Sequence, residues 1–541
     1  MKKWMALTLW KCLQVPLCIS LIAAAGCQKK TDSSRLRQQE LHLNLHSEPP
    51  CLDPRKSSDT TSISIINMCF EGLMSKSADG GLKEAVAESY SISDDKKIYT
   101  FLLREAFWSD GNPVTAFDFE KTWKDMMDPA FPCDFANDLY VIKNAEAAKM
   151  KKCSVLEIGV RALDAHTLVV ELEHPTPYFL ELTATHALYP APTHITNAHA
   201  DWAQDYSSRF VCNGPFRINE WRHHNFLSVV KNENYWDKEC VKLEKITFAM
   251  IEDENTELGM FENGELDWAG SPLSNLPIDA MISLCKKGLV HTYPLAGVYY
   301  YVFNTRCPPF DNVNMRKAFA LAINRQQIIE NITQSGQLPA TSIIPPTMRK
   351  DSREFFQDAD VKEAQRYFQL ALTELNITKE QLPKICLSYN TMSSHHKIAQ
   401  AIQEQWFNAF GIRVELANKE WKVFLDELRG HQFQIARLGG IANVNDPMAF
   451  LHLYKYLSNS INHSQWTNVD FTELVEKSEN TTDPEERLAL LKKAEEIFVG
   501  EMPIAPIYFY TGNYLKKPYV KGVVLSEMSE MDFKNAYVET K

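Results

Sequence analysis

The side chains here best suited to reaction chemistry are His223-His224, His395-His396 and a large set of carboxylates. Each histidine pair is two adjacent residues, not i and i+4 on one helical face, so the rings are expected to point apart and no metal site is indicated. With 69 Asp and Glu in 541 residues, close carboxylate pairs arise by chance, and none stands out as a general acid and base. There is no Gly-x-Ser-x-Gly elbow, no phosphate-cradling Gly-Lys-Ser/Thr loop and no His-Glu-x-x-His. A hydrolase lacks its motifs and no cofactor is expected, which leaves binding rather than catalysis.

The elements that must position any binding groups read as follows. Ile98 to Leu103 is a β-favouring run, Ser109-Asp110-Gly111 is a turn, and Thr115 caps a helix beginning near Ala116 and running to the breaker Asp128-Pro129. The pattern predicts strands at Leu41–Leu45, Thr167–Leu172, Val298–Phe303 and Ile412–Leu416. It predicts helices at Ile63–Leu73, Met315–Ile323, His395–Phe410 and Glu485–Phe498, and the start of one at Tyr178–Leu182. Strands alternating with helices imply α/β lobes, and 541 residues exceed what one core organises, so two or three lobes are expected.

A net charge of −12 argues against a nucleic-acid partner, whose phosphates need clustered Lys and Arg. Residues 1–27 read as a secretory signal: Lys2 and Lys3, an apolar run ending in Leu21-Ile22-Ala23-Ala24-Ala25, then Gly26-Cys27 as a lipobox whose cysteine takes the lipid. Lys11 interrupts the run and Ala24 stands where such boxes usually carry Leu; the alternatives are an ordinary signal cut near Ala25, or a membrane helix. Residues 28–37 are a polar tether. Beyond Cys27, nine scattered cysteines form no Cys-x-x-Cys pair and no disulfide framework.

The wording of residues 98–123, with Ala87-Glu88-Ser89 before them, resembles the signature of the oligopeptide-binding proteins of peptide ABC transporters. The resemblance continues in order through Leu52-Asp53-Pro54, Phe70-Glu71-Gly72-Leu73, Pro177-Tyr178-Phe179, Asn213-Gly214-Pro215-Phe216, Tyr235-Trp236-Asp237, Gly264-Glu265-Leu266-Asp267 and Pro309-Phe310-Asp311. It implies a two-lobed periplasmic-binding-protein fold of the α/β class, in the form with an extra inserted domain and a ligand cleft between lobes. Lobe I is expected at 38–60, 196–295 and 511–541, the inserted domain at 61–195 and lobe II at 296–510.

By the same resemblance, Ala436 to Pro447 aligns with the segment that runs beside bound peptide, including Gly439. Arg437 and His395 match groups that meet the peptide carboxylate, Trp421 matches a pocket wall, and Glu48 and Phe135 match further groove positions. The family's ammonium anchor is an Asp, replaced here by Asn443, with Asp446 as a nearby carboxylate that would take its place. Gly440 stands where the family often has Trp. The positions of Gly297 and Ile441 carry a disulfide in some members, and both cysteines are absent here.

The function implied is a monomeric, lipid-anchored, extracytoplasmic receptor, on the periplasmic side in a Gram-negative cell. It would bind short peptides and pass them to an ABC permease and ATPase complex. The departures at Asn443 and Gly440 leave open an amine-blocked or cell-wall-derived peptide as ligand, or a surface adhesin on the same scaffold.

Overall fold

Two 13-residue strands, His291–Phe303 and Ile504–Lys516, lie antiparallel and tie together two hydrophobic cores. At about 3.3 Å per residue each is roughly 43 Å long, enough to belong to both. Near one end Tyr514 stacks on Trp268 of the first core at 4.1 Å, while Val298–Phe303 and Ile504–Phe509 lie in the second. Between Pro294 and Val298 their register shifts, a bulge at the passage from one core to the other. This computed structural model describes residues 39–77, 81–204, 209–349, 353–457 and 461–540. The signal segment 1–27 with Cys27 and the tether 28–37 lie outside the described residues. Among the described residues no helix is long and apolar enough to cross a membrane.

The first core rests on two four-stranded sheets. One orders its strands Glu40–Asn44, Lys245–Ala249, Phe226–Lys231, Phe216–Arg222; the other orders Ala87–Ile92, Ile98–Leu103, Thr167–Glu171, Val160–Ala162. The second core is built on the main path of a seven-stranded sheet, ordered Trp268–Gly270, Ile504–Lys516, His291–Phe303, Ile435–Ile441, Cys386–Asn390, Glu415–Lys419. Strands and helices thus make a mixed α/β molecule with two principal cores.

Local chemistry explains most boundaries. Thr115 and Asp118 form a capping box for the helix Ala116–Met126. Asp483 caps Pro484–Glu501, accepting from Glu486 N at 2.8 Å, with Pro484 in the first turn. Two expectations shift. The helix expected at Ile63–Leu73 spans Thr60–Cys69, because Gly214 packs against the Cys69 backbone, donating to Cys69 O at 2.7 Å, and Asn213 exchanges two hydrogen bonds with the Glu71 backbone. The strand expected at Ile412–Leu416 is Glu415–Lys419, because Gly411, at φ +69°, ends the helix Ser393–Phe410 and the chain needs Ile412–Val414 to turn.

Several signature motifs turn out to lock the scaffold. Glu71 accepts from Tyr235 OH and Trp236 Nε1, both at 2.6 Å, and pairs with Lys534. Asp53 holds Arg55 and Trp202, and Asp267 accepts from His42 N and Tyr519 OH, each at 2.7 Å.

Candidate functional site

The strand Ile435–Ile441 sits between His291–Phe303 on one side and Cys386–Asn390 on the other. Pairing with the first is continuous from Phe303↔Ile435 to Gly297↔Ile441. Pairing with the second covers only Leu387↔Ile435 and Ser388↔Ala436. Beyond Ala436, therefore, the far edge of this strand has no strand partner among the described residues.

Arg437 stands where the two strands part. Its guanidinium donates to Tyr510 OH at 3.0 Å and to Asn390 Oδ1 at 3.5 Å, and lies over the Tyr299 ring at 4.6 Å. Tyr299 stacks on Tyr508 at 4.7 Å, and Tyr510 meets both edge-on. Burial opposes the Arg437 charge, yet the oxygens of Tyr510, Tyr299 and Tyr508 outweigh it and hold its pKa above the ordinary arginine value. Among the described residues Arg437 has no carboxylate partner, and its buried Nε has no acceptor. A guanidinium held this way has unfilled capacity for an anion.

His395 joins this cluster from the helix Ser393–Phe410, with Nδ1 3.3 Å from Tyr299 OH. Burial, then the Arg437 charge, push its pKa down to about 3, so the ring is neutral at pH 7. His396 turns instead to Tyr389 OH at 2.6 Å. Gly439 is required by contact: a Cβ there would stand 2.3 Å from Tyr510 OH. At Gly440 the same atom would meet nothing within 4 Å.

Arg437, Gly439 and Ile441 share one face of the strand by its two-residue period, and Ala442 continues the ladder by donating to Ala296 O at 2.8 Å. The segment then crosses to the first core. Val444 is buried there, Asn445 N donates to Glu181 Oε2 at 3.0 Å, and Asn443 comes near the Asp138 carboxyl. Burial pushes the Asp138 carboxyl up to about 6, against the opposing influence of Asn443.

The remaining expected residues fall outside this arrangement or change role. The Asp446 carboxylate is not free: Arg487 donates to both its oxygens, at 2.7 and 2.9 Å, within a buried pair, so it cannot replace the charge missing at Asn443. Trp421 is 51% exposed at the start of the helix Trp421–Arg429, its ring near Phe424. Phe135 is buried edge-on to His186 at 5.1 Å, three residues before Asp138.

Glu48 accepts from Trp221 Nε1 at 2.6 Å, from the His224 N–H at 2.5 Å, and lies 2.8 Å from His223 Nδ1. Burial acts to raise its pKa, but these bonds outweigh it and hold the carboxyl below its ordinary range. The adjacent histidines thus do not point apart as expected. His224, at φ +57°, closes the hairpin after Phe216–Arg222 and turns both residues toward Glu48. A cavity of about 850 Å³ lined by Phe368, Leu372, Lys379 and Phe410 opens elsewhere on the second core and contains none of these residues.

Residues 81–462 match the model of the bacterial extracellular solute-binding proteins, family 5. The chain belongs to that family. It is 42% identical over 541 residues to the oligopeptide-binding protein OppA of Bacillus subtilis, covering 99% of each. Among solved structures, this family 5 protein superposes on the murein tripeptide binding protein MppA of Escherichia coli with a TM-score of 0.81, at 31% identity over 93% of this chain and 98% of that one. It also superposes on Listeria monocytogenes OppA bound to peptide with a TM-score of 0.79, at 28% identity over 93% and 99% of the two chains. The fold is accordingly the two-lobed fold of that family, and the segment Ala442–Asn445 passes from the second core to the first.

That Tyr510 meets Arg437, and that Asp138 lies near Asn443, was not visible in the sequence. No spacing links either to Arg437 or Asn443; the only hint was Phe135, three residues from Asp138.

Proposed function

We propose that this solute-binding protein captures short peptides by lobe closure and delivers them to an ABC permease and its ATPase. The open edge of Leu438–Ile441 carries this reading. An extended peptide added there would find main-chain donors and acceptors that do not depend on its sequence, which suits a receptor of broad selectivity. Arg437, charged and without a carboxylate partner, suits the peptide's C-terminal carboxylate. The relative in Bacillus subtilis is named an oligopeptide-binding protein, and the Listeria structure holds peptide.

In this reading lobe I comprises 38–60, 196–295 and 511–541, the inserted domain 61–195 and lobe II 296–510. Glu48, Phe135 and Trp421 act at a distance from the peptide termini, as groove or supporting positions. Cys27 takes a lipid that tethers the monomer to the outer face of the cytoplasmic membrane or to the periplasmic side of a Gram-negative envelope. Detergent partition of the full chain, compared with Cys27→Ser, tests the anchor.

Native mass spectrometry of the mature protein, purified without denaturation, tests the ligand. A ladder of masses fitting short peptides is expected. A single amine-blocked or cell-wall-derived mass would favour the second reading, for which the neutral side chain at Asn443 is the specific observation. Absence of binding to any peptide pool in calorimetry would overturn both.

A further inference from the structure

We propose that Lys96, His174, Tyr178 and Glu181 form a latch that grips the second core when the lobes close, and so sets how long a bound ligand is held. The latch rests on the lobe-closure reading above and adds to it a part that does not depend on the ligand.

The path of the chain makes such contacts recognisable. Apart from Val444, the buried members of the first core come from residues 41–273 and 520–538, and those of the second from 296–509. Among the described residues the chain passes from one to the other along the strands His291–Phe303 and Ile504–Lys516, whose pairing is bulged between Pro294 and Val298. A bulge bends and twists the strand that carries it, so one core can turn against the other there. Contacts made directly between the cores, away from these strands, must break when the cores part.

Four such contacts gather in one place. Lys96 Nζ donates to Thr482 O at 3.2 Å, His174 Nδ1 lies 3.2 Å from Asn480 Oδ1, and Asn445 N donates to Glu181 Oε2 at 3.0 Å. The Arg487 guanidinium stands 5.9 Å from the centre of the Tyr178 ring. On the first core, Lys96 and His174 lie at one end of the same sheet, where Ile98 pairs with Glu171, and Tyr178 and Glu181 frame the start of the helix Phe179–Leu182. On the second, Asn480 and Thr482 lie between the helices Val469–Glu479 and Pro484–Glu501, and Arg487 of the latter holds Asp446, next to Asn445. Two continuous surfaces therefore meet.

Apolar burial accompanies the polar contacts. Val444 is buried in the first core, and Tyr178 and Ala449 pack against both. Exposed hydrogen bonds are individually weak, but here they close over apolar surface that opening would return to water. The other polar contact that bridges the cores at a distance from the strands, Lys397 to Asp279 at 3.0 Å, is an exposed ion pair of the kind that contributes little.

The latch is also placed to respond to the ligand. Asn445 lies four residues beyond the strand Ile435–Ile441, so a peptide that fixes this strand also fixes the main-chain donor that Glu181 receives. Lys96 and His174 are not among the groove positions, so their effect on a bound peptide must pass through closure.

The test joins small-angle X-ray scattering of the mature protein, stripped of ligand, to the rate at which a fluorescently labelled pool of short peptides leaves it. Lys96→Ala, His174→Ala and Glu181→Ala combined should enlarge the radius of gyration and speed dissociation at least about fivefold, while the association rate changes by about twofold or less. An unchanged radius together with an unchanged dissociation rate would overturn the latch. Should the triple variant fail to fold, Lys96→Ala with His174→Ala takes its place, Lys96 being exposed and His174 partly so. This pair should speed dissociation at least about twofold, and no change overturns the proposal. If no peptide binds at all, the receptor reading fails, and scattering alone still decides the latch.

Discussion

The guanidinium of Arg487 holds both oxygens of the Asp446 carboxylate, and the pair is nearly closed to solvent. Asp446 also accepts from Met448 N at 2.8 Å, so it anchors the turn that follows the binding strand. Asp446→Ala leaves a buried guanidinium without a partner and should destabilise the protein by about 3–5 kcal/mol. Replacing both residues by apolar ones, Asp446→Leu with Arg487→Met, should recover most of that loss. Chemical denaturation of the single and double variants checks both values.

Asp138 makes the opposite prediction for stability. Its pKa in the folded protein, about 6, exceeds the ordinary aspartate value, so the native state holds the proton more tightly than the unfolded chain. The penalty for the charged form is complete above pH 6 and fades as pH falls toward the ordinary value near 3.8. Ligand-free Asp138→Asn should therefore be more stable than the unmodified protein by about 1–3 kcal/mol at pH 7, with no advantage below about pH 4. Denaturation at pH 7 and pH 4 measures the difference; a loss of stability at pH 7 would contradict it.

Neighbouring glycines should respond unequally. Gly439→Ala drives a methyl into Tyr510 OH and displaces the hydroxyl that receives Arg437, so peptide affinity should fall about tenfold and stability by about 1–3 kcal/mol. Gly440→Ala meets open space and restricts only the unfolded chain, so stability should rise by about 0.4–1 kcal/mol. Calorimetry and denaturation on the two variants separate these outcomes.

Two buried histidines predict acid sensitivity. Burial with the Arg437 charge pushes His395 down to about 3, and burial pushes His186 down to about 4. Their stabilisation is present above the unfolded value near 6.5 and is lost as pH falls from there toward 4 and 3. At pH 5 the two together should cost about 4 kcal/mol relative to pH 7. The imidazole resonances of both should stay flat from pH 8 to pH 5 in NMR titration; an inflection near 6.5 at His395 would show that the ring is not buried beside Arg437.

The amino-acid sequence by itself determined the family, through motifs whose order survives because each locks the scaffold: Tyr235-Trp236 holds the Glu71 carboxylate and Asn213 the Glu71 backbone. It also determined most elements, because capping at Thr115 and Asp483 and the aromatic run Val298–Phe303 are local signals. It found Arg437 and Gly439 by resemblance, though not why the glycine must be bare. Only the tertiary structure decided where charge is free. Asp446 looked available until Arg487, 41 residues later, was seen to neutralise it. Asp138, about 300 residues before Asn443 in the chain, looked unremarkable until folding brought the two together. Whether a carboxylate is an anchor or half of an ion pair depends on what lies within a few ångströms, and that is set by long-range packing rather than by its neighbours in sequence.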